Sequence, residues 1–263
     1  MTDPAPSSPQ SSSSSPRRTK LRYKSKMLHI FLLFLPQVPL IARVALLHIL
    51  RWSEQAKYID LRTALTVAVL RSFLTPEKPL SVTGTQRFLG RDPGIKGRIW
   101  VSKYTAPAPE GTSIRDALVK VIETLRLPSA ARTEVRLPEI APVEAEWTGY
   151  RDGAADDAKL PQISEEDKYH RLMEECTSSV TVLYFHGGAY WLMDPATHRP
   201  TTKKLAKLSG GRCYSVRYRL APQNPFPAAL LDALSSYLTL LFPPPGAFHE
   251  PVLPGEIVVA GDR

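Results

Sequence analysis

The stretch that most constrains this chain is Val180-Thr181-Val182-Leu183-Tyr184-Phe185, followed at once by His186-Gly187-Gly188-Ala189-Tyr190. An apolar run of strand length, without polar alternation, reads as a strand buried on both faces, as strands of a parallel sheet are. The glycines after it lack Cβ atoms, so backbone N–H groups there can approach a ligand closely. Such donors at the C-terminal end of a parallel strand suit a developing oxyanion. An ordinary glycine turn after a strand has the same appearance.

The text downstream alternates in period. A helix is expected at about 200–208, ending at Gly210-Gly211. A strand follows at 213–218, then the Arg219-Leu220-Ala221-Pro222 loop, a helix over 228–241 and a strand over 256–260. Helices separating buried strands imply parallel pairing through right-handed crossovers, so the fold class is α/β with a mainly parallel sheet. Upstream, the segment around Arg98-Ile99-Trp100-Val101 and residues 144–150 read as strands. Ser113 with Asp116 opens a helix whose buried face is Ile114, Leu118, Val121, Ile122 and Leu125. Ser164 caps another helix, and Ser53 caps one running to about Arg71. The apolar set of that last helix fits either a core element or a lid over an apolar pocket.

Charge is unevenly spread. Residues 1–60 hold nine Lys/Arg and three Asp/Glu, whereas residues 61–180 carry seventeen of each sign. A nucleic-acid binder would be more uniformly basic, so no nucleic-acid partner is expected. Residues 1–26 read as a disordered basic arm, ending in Arg17, Arg18, Lys20, Arg22, Lys24 and Lys26. Residues 27–50 form an apolar segment, either a membrane anchor or a helix lying in the interface. As one helix it would be about 36 Å long, but Pro36, Pro39 and Arg43 argue against a clean span. A plain buried cap helix is the third option. Residues 51–135 read as a helical cap region and linker. Cys176 and Cys213 give neither a disulfide framework nor metal spacing. Asp156, Asp157, Glu165, Glu166 and Asp167 read as a solvated acidic face.

Three blocks together resemble the hormone-sensitive-lipase-like branch of the α/β-hydrolases, which includes the arylacetamide-deacetylase-like esterases. They are Tyr184 to Tyr190, then Tyr218-Arg219-Leu220-Ala221-Pro222 with Pro225 to Leu230 and Asp232, then Val258-Val259-Ala260-Gly261-Asp262. Gln223 stands where that branch usually has Glu. The resemblance covers roughly residues 140–263 and implies that 136–263 is the N-terminal part of an α/β-hydrolase domain. It implies an oxyanion hole at Gly187 and Gly188, with His186 a scaffold residue of the loop and not a base. Ala189, Tyr218, Arg219, Pro222, Asp232, Gly261 and Asp262 would be motif or structural positions. The implied activity is carboxylic-ester hydrolysis of an apolar acyl, sterol or aryl ester, with no cofactor and no metal. The implied location is a membrane, with the endoplasmic reticulum as candidate compartment.

In that branch a serine nucleophile follows the Gly-Asp pair, and the triad acid and base come later in the chain. Here Arg263 follows Asp262, so the expectation is of a chain truncated at the nucleophile elbow and inactive as it stands. None of the six histidines stands where a base is needed; His198 and His249 read as surface connections. The alternative is a non-catalytic, membrane-associated homologue that binds an apolar ligand or regulates. An anion-binding doubly wound domain ranks last, because no G-x-G-x-x-G or P-loop pattern is present.

Overall fold

The computed structural model describes residues 35, 38–74, 81–125 and 137–262. The basic arm, most of residues 27–37, the linker at 126–136 and Arg263 lie outside the described residues. The chain divides into two compact units, Met1–Leu80 and Ser81–Arg263, so the region read as one cap over 51–135 is shared between them.

The first unit holds helix α1, Val38–Ile49, a short 3-10 turn, Glu54–Lys57, and helix α2, Leu61–Leu74. The helix expected from Ser53 is thus broken. Ser53 makes no side-chain capping bond. Asp60 does: its carboxylate accepts from the Thr63 N–H at 3.2 Å and from the Thr63 hydroxyl at 2.5 Å. An acidic acceptor for an orphan N–H starts a helix where it stands. Pro39 falls in the first turn of α1, where a missing N–H costs nothing. Leu40 and Val44 of α1 face Val67 and Ala68 of α2.

The second unit opens with helix α3, Val82–Leu89, capped by Ser81, which accepts from the Gly84 N–H at 3.1 Å. Then come strand β1, Ile99–Ala106, helix α4, Ser113–Leu125, strand β2, Val143–Tyr150, and helix α5, Glu165–Glu174. Strand β3, Thr181–Phe185, helix α6, Arg199–Ser209, strand β4, Arg212–Arg217, helix α7, Ala228–Leu241, and strand β5, Ile257–Gly261, complete it. The sheet runs β1-β2-β4-β3-β5. The parallel pairing expected of the alternating region holds for β4, β3 and β5, while β1–β2 and β2–β4 are antiparallel.

Alternation along the strands sorts two cores. Leu183, Tyr214, Val216 and Trp147 face α5 and α7, with Tyr169, Leu172 and Leu240. Val182, Tyr184 and Cys213 face α6, with Ala206. Trp147 is fully buried, its ring 4.6 Å from Tyr214, 5.1 Å from Tyr169 and 5.0 Å from His249. His249 is therefore a core residue and not a surface connection. α4 packs Ile114 and Leu118 against Leu231 of α7; Val121 and Leu125, expected on the same face, are exposed.

β3 leads through α6 to β4 on one side, and the chain then returns through α7 to β5 on the other. Such a reversal of strand order opens a crevice at the C-terminal ends of the strands. The register sets Phe185 beside Gly261, so the residues that follow each, His186-Gly187 and Asp262, meet there.

Candidate active site

Loop 186–193 carries unusual backbone. Gly188 has φ +113°, and Ala189, Tyr190 and Met193 have φ of 53°, 63° and 74°. A Cβ on Gly188 would stand 2.4 Å from the Leu192 carbonyl oxygen, so only glycine fits there. Non-glycine residues in the left-handed region cost energy and persist where their surroundings hold them.

Asp262 is the first such support. Its Oδ1 accepts from the Gly187 N–H at 2.9 Å and from the Tyr184 hydroxyl at 2.5 Å. Its Oδ2 lies 3.2 Å from His198 Nε2. Burial alone would raise this carboxyl, but the bonds from Tyr184 and Gly187 and the His198 partner outweigh it and hold the group below its ordinary 3.8. His198 thus belongs to the site. Sequence reading missed it, although Asp194 with Thr197 forms a capping box at the Pro195–His198 turn. That signature starts the 3-10 turn that precedes α6 and ends on His198, beside Asp262.

His186 is buried at the wall of the crevice at the strand ends, with its ring packed among aromatic neighbours. Its Nδ1–H donates to the Gly187 carbonyl at 2.8 Å, and its ring stacks on Tyr218 at 4.3 Å and on His198 at 5.5 Å. Burial pushes the imidazole below its ordinary value, so the neutral ring is favoured. Tyr218 donates its hydroxyl to the His186 carbonyl at 2.5 Å. Arg219 and Asp232 form a second fixture. The Asp232 carboxylate accepts from the Arg219 backbone N–H at 2.7 Å and from its guanidinium Nε at 3.0 Å, while Arg219 Nη1 donates to the Glu139 carbonyl at 2.9 Å. Two cis bonds, Ala221-Pro222 and Phe226-Pro227, shape this block. The Ala221 N–H donates to the Tyr190 carbonyl at 2.9 Å, joining block to loop.

Of the two glycine N–H groups expected to face an oxyanion, that of Gly187 is given to Asp262. Among the described residues, the N–H groups of Gly188, Ala189 and Tyr190 have no acceptor. Beside them lies an open cleft of about 730 Å³, walled by Phe185, Tyr190, Tyr218, Leu230 and Val259, with Asp262 at its head. A hollow of about 300 Å³ adjoins it, between Tyr190, Arg219, Asn224 and Phe226. The acidic cluster at 156–167 holds no metal-ligating group, and no other such group occurs among the described residues. His186, Gly187, Ala189, Tyr218, Gly261 and Asp262 come together around the cleft, with Gly188 next to them in the loop; Asp232 holds Arg219; Arg263 lies outside the described residues.

Residues 182–263 match a family model described as the alpha/beta hydrolase fold. An acetyl-hydrolase of Streptomyces hygroscopicus is 38% identical over 82 residues, which are 31% of this chain and 25% of that protein. The carboxylesterase NlhH of Mycobacterium tuberculosis (strain ATCC 25618 / H37Rv) is 37% identical over 81 residues, 31% of this chain and 24% of its own. Human hormone-sensitive lipase is 36% identical over 56 residues, 21% of this chain and 5% of its own. A solved structure of a hyperthermophilic esterase from the archaeon Pyrobaculum calidifontis is similar over 77% of this chain and 48% of that one, at 23% identity and a TM-score of 0.42. The chain spans about a quarter of the length of the first two relatives. The matched stretch contains β3, the 186–193 loop, the 218–232 block and the end of β5.

Proposed function

We propose that residues 182–263, which match the alpha/beta hydrolase fold and are similar to esterases and to hormone-sensitive lipase, carry the oxyanion side of a carboxylic-ester-hydrolysing site. The observation that supports this best is the junction of β3 and β5, where the Gly187 N–H meets Asp262 at 2.9 Å above an apolar cleft. When a nucleophile attacks an ester carbonyl, negative charge grows on the carbonyl oxygen. Backbone donors already in place stabilise it without reorganising, and losing one typically costs about 2.7–4 kcal/mol of the barrier. The donors left for this role are the N–H groups of Gly188 and Ala189. Gly187 holds the loop to Asp262, and His186 with Tyr218 forms its floor. The apolar walls suit an acyl, sterol or aryl ester.

Arg263 occupies the position after Asp262, where the branch has its serine. With arginine in place of that serine, we expect binding of an apolar ester without turnover, since loss of the nucleophile costs about a million-fold. The test pairs an assay on a short-chain aryl ester with fluorescence titration by a fatty-acyl probe. Absence of turnover with probe binding that weakens at least about tenfold in Leu230→Arg agrees with the reading. Turnover that survives Gly188→Val sinks the oxyanion assignment, and no probe binding in the parent chain sinks the cleft.

The first unit supports a second element of the proposal, attachment to a membrane surface. α1 buries none of its residues, and Leu46, Ile49 and Trp52 are exposed. At 12 residues it is about 18 Å long, against roughly 30 Å of hydrocarbon. No helix among the described residues is long and apolar enough to cross a membrane. An interfacial position beside the cations at 17–26 fits anionic lipid. Co-sedimentation with vesicles containing anionic lipid should fall with added salt and in Ile49→Asp. Binding indifferent to both would refute it.

A further inference from the structure

The left-handed turn at 188–190 is held from within the matched stretch by Asp262 and Ala221, and a further hold comes from far outside it. Gln86, on α3, sends its side-chain amide to two backbone carbonyls, Trp191 at 2.9 Å and Ala221 at 2.9 Å. Both partners are acceptors, so the amide nitrogen must face them with one N–H for each. The other end of the amide, Oε1, accepts from Gln223 Nε2 at 2.9 Å. All three polar sites of the side chain are in use.

These bonds close a ring. The Trp191 and Leu192 N–H groups both donate to the Gly188 carbonyl, at 3.1 and 3.0 Å, and the Ala221 N–H donates to the Tyr190 carbonyl at 2.9 Å. Gln86 then ties Trp191 to Ala221 across the open side. Two further contacts seat the same segment. Gly90, which ends α3, leaves room where a Cβ would lie 3.5 Å from the Met193 carbonyl oxygen and 3.8 Å from Asp194 Cβ. Asp92 takes Arg199 Nη1 at 2.6 Å and Nη2 at 3.1 Å. The segment 81–94 thus touches the chain at 191, 193–194 and 199, all just beyond the unpaired N–H groups.

We infer that Gln86 is a positioning residue for the 188–190 turn, locking it to the 219–222 block from a helix that belongs to neither. Strained left-handed residues persist only where neighbours over-determine them, and Gln86 supplies the one bridge between the two sides of this turn that runs through a side chain of α3. The functional meaning rests on the oxyanion reading above, but the bridging itself does not.

The test is hydrogen–deuterium exchange on the 263-residue chain, read at peptides holding Trp191, Leu192 and Ala221. Gln86→Ala and Gln86→Glu should each speed exchange there by about tenfold or more, the loss of one to two part-buried hydrogen bonds, and leave residues 213–216 of β4 unchanged. Glu cannot rescue, since it sets a carboxylate against two carbonyl oxygens. Gln223→Ala, which removes the donor to Gln86 Oε1 and a longer acceptor of its amide at 3.2 Å but neither backbone carbonyl, should give a smaller change in the same peptides and covers the case in which a Gln86 variant does not fold. Val82→Ala, on the same helix, should change nothing. Exchange at 191, 192 and 221 altered less than twofold, or rising in step with β4, would overturn the inference. Failure of the acyl probe to bind while Gln86→Ala still frees these amides would instead count against the ester reading alone.

Discussion

β4 and β5 lie on either side of β3 and run parallel to it, yet they are in different situations. β4 is enclosed: β2 pairs with its far edge, α6 covers Cys213, and the α7 side covers Tyr214 and Val216. β5 is the more apolar of the two in sequence, Ile-Val-Val-Ala-Gly against Arg-Cys-Tyr-Ser-Val-Arg. Among the described residues it pairs with β3 only, and Val258 and Val259 are 50% and 64% exposed. A strand's hydrophobicity states what it can bury. Its neighbours decide what it does bury, and an apolar strand with a free edge is a template for further pairing.

The largest expected effect tests the enclosed side. Arg199 and Glu146 are both buried, joined by Nε to Oε2 at 2.8 Å and Nη2 to Oε1 at 2.6 Å, with Glu146 on β2 opposite Ser215 of β4. Arg199→Ala strands that carboxylate, and urea unfolding should show a loss of about 3–5 kcal/mol. Next, Val216→Ala on β4 should cost about 2 kcal/mol by the same measurement. A cost below about 0.5 kcal/mol would mean that β4 is looser than its burial states.

A pH effect should follow, confined to the same side. Burial depresses His186 and His249 below the ordinary 6.5, so the native state resists protons that the unfolded chain accepts. Their stabilising contribution is complete above 6.5 and is lost as pH falls from there through the lowered values. His249→Gln should flatten this first acid step in a thermal-denaturation series. Further down, Asp92 is lowered first by its bond from Arg199. Asp194 is lowered as well: the bond from Arg217 overcomes its burial. Both contributions hold above 3.8 and disappear as pH falls through the lowered values, giving a second step. A single transition near 3.8 would contradict the histidine assignment.

The smallest effect on stability is expected on β5. Val259→Ala should stay within about 0.5 kcal/mol. Val259→Lys should leave stability alike but raise soluble yield, because an edge charge opposes strand addition. If Val259→Ala costs as much as Val216→Ala, the contrast between the strands fails.

Much of this arrangement was legible. The helix over 228–241, the Ser164 cap and the α/β alternation from residue 180 all rest on local periodicity and turn chemistry, and the structure repeats them. Ser53 misled because Asp60, seven residues on, is the better acceptor for an unsatisfied helix N–H. His249 was misplaced because a polar residue between prolines looks solvated; only the packing of Trp147 against it takes it inside. Gln86 carries no signal of its own, since one Gln on a polar helix has no pattern to distinguish it.

The amino-acid sequence by itself determined the α/β class, the order of elements from residue 180 onward, the three blocks that resemble the hydrolase family and the glycine that the turn at 188 requires. These follow from residue type and short spacing, which act within a few residues of the chain. The tertiary structure alone decided that the Gly187 N–H goes to Asp262, that His198 joins it, that Gln86 bridges Trp191 and Ala221, and that β4 is covered where β5 is not. Each of these joins positions tens of residues or more apart. Their meeting depends on parallel register and on the packing of α6, α7 and α3 around the sheet, which no local pattern specifies.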